Sequence, residues 1–135
     1  MDKKLKELVK LWFMKADHDL MAIENELNSN NPVTDVICFH AQQASEKYLK
    51  AFLIFHQINF PYTHDIGKLI NICMEKCPDF LSLKPAIMLT DYAVEVRYPD
   101  DFYIPNLDEA KDAYEVAKKV KTFVIEKLKS KRQKD

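Results

Sequence analysis

The stretch Cys38-Phe39-His40-Ala41-Gln42-Gln43-Ala44-Ser45-Glu46-Lys47-Tyr48-Leu49-Lys50-Ala51 decides how the rest of the chain is read. Its apolar residues Ala41, Ala44, Tyr48 and Ala51 recur at helical spacing. The same period extends back to Val33 and Ile37 and forward to Phe52 and Phe55. The predicted helix therefore runs from about Val33 to Gln57. Beside the apolar stripe, His40, Gln43, Glu46, Lys47 and Lys50 form a polar ridge at three- and four-residue steps. A helix meant only for packing has no need of so many hydrogen-bonding groups near its seam. Two readings follow: a solvated flank with internal ion pairs such as Glu46–Lys50, or a buried polar network at a groove or subunit interface. Charge on a helix is usually solvated, which favours the first.

Outward from this helix the pattern stays helical. Leu5, Leu8, Val9, Trp12, Ala16, Leu20, Ile23 and Leu27 draw one apolar stripe on a first helix of about seven turns. Asn28-Ser29-Asn30-Asn31-Pro32 ends it, because proline cannot continue a helix. Asn59-Phe60-Pro61-Tyr62 interrupts the period again. Thr63 is then expected to cap a short third helix, with Asp65 set against the positive end of its dipole, stopping near Cys77-Pro78. A fourth helix is expected over about Leu83 to Val96, with Pro85 in its first turn. Pro99 and Pro105 bracket an irregular loop. The last helix starts near Leu107 and carries Ala110, Ala113, Tyr114, Ala117, Val120, Val124 and Leu128, then a basic tail from about Lys127.

The composition agrees. One glycine among 135 residues suits long helices with short loops and not hairpins, which need glycine at turns. The expected fold is all-α, an antiparallel up-and-down four-helix bundle with an additional short helix, forming one domain over residues 1–135. With 20 basic and 21 acidic residues, a dominant polyanion-binding surface is not implied. The three cysteines are odd in number, and no second Cys/His pair completes a zinc site around Cys73 and Cys77. No metal and no cofactor are expected. The charged start Met1-Asp2-Lys3-Lys4 lacks the apolar core of a signal peptide. No apolar run approaches the ~20 residues of a membrane span. The chain reads as reduced and cytoplasmic, with no membrane partner.

Three places outside the ridge could carry chemistry. His64-Asp65 begins a helix, where backbone N–H groups can hold an anion, but a capping turn is favoured because Thr63 and Asp65 both suit that role. Arg97, followed by Tyr98-Pro99-Asp100-Asp101, offers a planar fork for phosphate, or pairs locally with a neighbouring acid. The basic tail could touch RNA or simply be a solvated helix end. No phosphate loop or nucleophile elbow is present.

Four segments together, Trp12 through Ala16-Asp17-His18-Asp19-Leu20, Cys38 through Ala51, Pro61-Tyr62-Thr63-His64-Asp65 and Arg97-Tyr98-Pro99-Asp100, resemble the HEPN domain family in order and spacing. The resemblance spans roughly residues 5 to 128. It implies a helical bundle, usually a homodimer, related to the domain that accompanies minimal nucleotidyltransferases in toxin–antitoxin-like pairs. Many members are metal-independent ribonucleases with an Arg followed several residues later by a His. Arg97 matches the Arg. Tyr103 or its neighbours hold the expected His position, and no His follows His64. A tyrosine with pKa near 10 is a poor general base at neutral pH. The resemblance is thus to the branch without the nuclease signature, for which nucleotide binding is the implied role, with His40, Gln43, Lys47, His64, Arg97 and Tyr98 as the ligand-binding residues.

Three functions are compatible with this. The first is a homodimeric binding and assembly module for a nucleotide or RNA, working with a minimal nucleotidyltransferase. The second is a divergent metal-independent ribonuclease using Arg97, Tyr103 and His64. The third is a purely structural dimer whose polar ridge fixes register. Aromatic residues on several helix sides, Trp12, Phe13, Phe39, Phe52 and Phe55, give more apolar surface than one small bundle easily covers and favour a dimer.

Overall fold

A computed structural model describes residues 2–93 and 103–134, with side chains described as far as residue 129. The elements are α1 (Lys3–Leu27), α2 (Thr34–Phe55), α3 (Ile66–Lys76), a 3₁₀ segment η1 (Pro78–Tyr92) and α4 (Leu107–Lys134). No strand occurs among the described residues. α2 is the central element. It runs antiparallel to α1, as the Asp17–Tyr48 and Glu26–Val33 bonds show, and parallel to α4, beside which Thr34 Oγ1 donates to the Pro105 carbonyl. α1 and α4 are antiparallel, linked by Asp17–Lys121 and Glu24–Tyr114. α3 and η1 turn back on one another, with the Ile66 N–H donating to Thr90 Oγ1.

The core lies where the periodicity put it. Ala41, Ala44 and Ala51 of α2 and Ala110, Ala113 and Ala117 of α4 are buried, so these two helices approach closely. Tyr48, Phe52, Phe80, Ile23 and Leu49 fill the remaining space, with the Phe52 and Phe80 rings 4.5 Å apart.

α2 stops at Phe55, short of the expected Gln57, because Gln57 adopts φ 55°. The Ile58 N–H reaches back to Leu53 O (2.9 Å) and the Gln57 N–H to Ile54 O (3.0 Å), the left-handed closure usually built on glycine. The cap of α3 is Asp65, not Thr63: the Asp65 carboxylate accepts from Lys68 N–H at 3.1 Å, and Thr63 Oγ1 supports Asp65 from outside. Gly67 stands in the first turn of α3, where a Cβ would meet Asp65 Oδ1 at 3.3 Å.

The expected fourth α-helix is instead 3₁₀ and begins earlier, at Pro78. Pro85 falls in its interior, where an α-helix would lose a hydrogen bond and collide with the preceding turn. Val94–Val96 of that expectation lie outside the described residues. The aromatic surplus is also smaller than expected. Phe52 is buried, and Trp12, Phe13, Phe39 and Phe55 are half-buried against their neighbours. The exposed apolar surface of α1 is aliphatic: Leu8, Leu11, Met14 and Met21.

Candidate functional site

The polar ridge of α2 is not a solvated flank. Glu46, Lys50 and Gln42 are buried, and the ridge is organised around two carboxylates. The first is Glu46. Its Oε2 accepts from Lys50 Nζ at 2.9 Å, and its Oε1 accepts from His64 Nδ1 at 2.7 Å and from Gln42 Nε2 at 3.1 Å. The Glu46–Lys50 pair expected from their spacing is therefore present, but inside the protein, each side chain 6% exposed. Two buried opposite charges hold one another only with such dense hydrogen bonding.

The second carboxylate is Asp19 of α1. Its Oδ1 accepts from His40 Nδ1 at 2.8 Å and its Oδ2 from Lys47 Nζ at 2.6 Å. Both groups thus have one composition: a carboxylate gripping one histidine and one lysine. Gln42 and Gln43 extend the first of them. Gln42 Nε2 also donates to the His64 carbonyl at 3.0 Å, and Gln43 Nε2 donates to Gln42 Oε1 at 2.7 Å.

The surroundings of Lys50 are aromatic. Its Nζ lies 5.8 Å from the Trp12 ring centroid, 5.9 Å from Phe60 and 5.7 Å from Tyr62. The loop Gln57–Asp65 crosses here, folding Tyr62 beside His64 with its hydroxyl 3.3 Å from His64 Nε2. Next to this cluster, Leu11, Trp12 and Lys15 of α1 and Lys47 of α2 line a cleft of about 200 Å³.

Four of the sequence candidates, His40, Gln43, Lys47 and His64, are brought together on this face. Tyr103 is not with them. Its hydroxyl donates to Glu109 Oε1 at 2.5 Å, and Tyr92 donates to the other oxygen of the same carboxylate. The Glu109 bond raises the Tyr103 pKa above its ordinary value, the reverse of what a general base needs. Arg97 and Tyr98 lie outside the described residues. Among those that are described, no group of three His, Cys, Asp or Glu is placed to hold a metal ion. No helix there is long and apolar enough to cross a membrane.

Sequence reasoning missed Asp19 and Gln42 as members of the site. Asp19 carried a signal: it falls three residues after Ala16 and four before Ile23, on the apolar stripe of α1, where an unpaired carboxylate would be costly. Gln42 carried none, since its burial depends on the loop bearing His64.

An all-helical bundle whose central helix and the loop before α3 together present carboxylate-braced histidines and lysines defines a helical module with a pre-ordered polar face. The HEPN domain model matches residues 9–129, and the chain belongs to that family. No curated protein and no solved structure gives a significant match.

Proposed function

We infer that this HEPN domain is a binding module for a phosphate-bearing ligand, a nucleotide or RNA, and that the polar face of α2 is where it binds. The observation that carries this reading is the doubled carboxylate–histidine–lysine arrangement. Asp19 fixes His40 and Lys47, Glu46 fixes His64 and Lys50, and three of these four side chains remain 19–26% exposed. Donors held in place before a ligand arrives lose little entropy when it binds. Histidine and lysine donors suit phosphate oxygens. Arg97, which lies outside the described residues, is proposed on sequence grounds alone as a planar fork for phosphate. The domain acts as a homodimer beside a minimal nucleotidyltransferase in a toxin–antitoxin-like pair, in the cytoplasm; these features rest on family membership. Calorimetry with ATP, GTP and a short single-stranded RNA tests the reading. Binding that weakens about tenfold in Lys47→Ala supports it, at roughly the worth of one charge-assisted contact. Absence of heat and of thermal shift at millimolar ligand refutes it.

One observation favours a second reading, a divergent metal-independent ribonuclease. Glu46 holds His64 through Nδ1, the way a carboxylate orients a catalytic imidazole. Cleavage of RNA in a chelator, lost in both His64→Ala and Arg97→Ala, would establish it. Cleavage that survives both substitutions would assign the activity elsewhere.

A further inference from the structure

The Trp12 cleft adjoins both histidine clusters along the α1–α2 seam: Lys50 of the Glu46–His64 group lies against Trp12, and Lys47 of the Asp19–His40 group lines the cleft. On α1, Trp12, Lys15 and Asp19 succeed one another at three- and four-residue steps, so they share one stripe facing α2. Trp12 and Lys15 line the cleft together with Lys47, whose ammonium is also held by Asp19. The seam therefore reads, in order, as an aromatic face, an exposed lysine and a lysine–carboxylate–histidine cluster. Asp19 already compensates Lys47; Lys15 is exposed and has no ion-pair partner among the described residues, so it adds positive charge to the cleft. Tyr62, which is 83% exposed, stands against the same Lys50 ammonium that Trp12 does, just outside the cleft. The cleft, about 200 Å³, has room for a single planar base and not for a folded nucleic acid.

We propose that this cleft is the base-and-phosphate subsite: a nucleobase stacks on Trp12 while its 5′-phosphate is held by Lys15 and Lys47. The proposal rests on the phosphate-binding reading above and supplies what that reading lacks, a surface that recognises the base. Stacking on an aromatic side chain tolerates every base, because each has a π-face. The subsite is accordingly weakly selective for base identity. The same chemistry is presented by a free nucleoside monophosphate and by one residue of a single-stranded RNA.

Trp12 is the only tryptophan in the chain, so its fluorescence reports on this cleft alone. The experiment titrates the full-length protein with AMP, GMP and UMP, with a six-nucleotide oligo(U), and with ribose 5-phosphate, which has no base. Emission is corrected for absorption by the ligand, and calorimetry runs in parallel. The expected result is quenching by the nucleotides or the oligonucleotide, none by ribose 5-phosphate, and affinity about fivefold weaker in Lys15→Ala, the scale of one lost phosphate contact. Lys15 is exposed, so that variant folds normally. Quenching by monophosphates identifies free nucleotide as the ligand source, and quenching by oligo(U) alone identifies RNA. Trp12→Phe, which keeps a stacking ring, retains calorimetric binding, whereas Trp12→Leu loses about tenfold. Calorimetric binding without quenching, and indifferent to Lys15→Ala, overturns the subsite and leaves the phosphate-binding reading standing. No heat and no quenching overturns both.

Discussion

Glu46→Gln is the substitution that tests the polar face most directly. It keeps the shape of the side chain and removes its charge. Lys50 is then left 6% exposed with no counter-charge at 2.9 Å. Removing one partner of a buried ion pair costs about 3–5 kcal/mol. The three rings within 6 Å of Lys50 Nζ retain cation–π attraction of about 0.5–2 kcal/mol, which puts the loss at the lower end, about 3 kcal/mol. That is a large part of a typical domain's total of about 5–15 kcal/mol. Urea unfolding followed by circular dichroism reads it out. With a slope of about 2 kcal/mol per molar, the midpoint drops by about 1.5 M. The companion variant, Glu46→Leu with Lys50→Met, removes both ions. It should recover at least about 2 kcal/mol of the loss, because an apolar pair avoids the desolvation that the ions incur. A single variant that loses less than about 1 kcal/mol, or a double variant as unstable as the single, would refute the reasoning, since the destabilisation would not come from a stranded charge.

Other outcomes follow from local geometry. Gln57 occupies the left-handed region at φ 55° on an exposed turn, so Gln57→Gly should stabilise the protein by about 1 kcal/mol in the same urea assay. Ser45 Oγ is buried with no hydrogen-bond partner among the described residues, and Ser45→Ala should be neutral or stabilising by about 1 kcal/mol. Burial and acidic neighbours raise the hydroxyl pKa values of Tyr48 and Tyr92 from their ordinary 10.0, and that of Tyr114 to about 12. A group whose folded pKa is raised contributes stability that is complete below its unfolded value and lost as pH climbs toward the folded one. The protein should therefore resist alkali up to about pH 10 and weaken above it, with Tyr48 and Tyr92 ionising only on unfolding, as an ultraviolet tyrosinate titration checks. Burial raises the Cys73 thiol as well, so a thiol reagent should modify half-buried Cys77 in the native protein and Cys73 only in urea.

The helices were legible because apolar spacing is a local property, and α1, α2 and α4 follow it almost to the residue. The differences fall where a local signal competes with a distant one. Pro85 is compatible with a helix start or with a 3₁₀ interior. The packing of Phe80, Leu83, Ala86 and Leu89 into the core selects the second. Thr63 and Asp65 are both good caps, and only the path of the loop decides that Asp65 faces the Lys68 N–H. The site was half legible for a related reason. His40, Gln43 and Lys47 share a helix face that spacing can show. Their burial depends on α1 and on the loop that brings His64 across α2, contacts separated by 18 to 28 residues. The general preference for solvated charge therefore pointed the wrong way for Glu46 and Lys50.

The cost of that buried pair separates the two roles a polar ridge can have. If the ridge only fixes how bundles or dimers register, Glu46 and Lys50 act on each other and on packing. Replacing both with Leu and Met should then change the assembly seen by light scattering, with no ligand binding to lose. If the ridge is a binding face, Glu46 matters chiefly because it grips His64 at 2.7 Å. The same double variant would stay folded yet release that imidazole, and ligand affinity would fall although Lys15, Lys47 and Trp12 are untouched. A binding loss at unchanged mass and near-unchanged stability is an outcome that a purely structural ridge does not produce. The carboxylates would then be conserving orientation, with stability as the quantity given up.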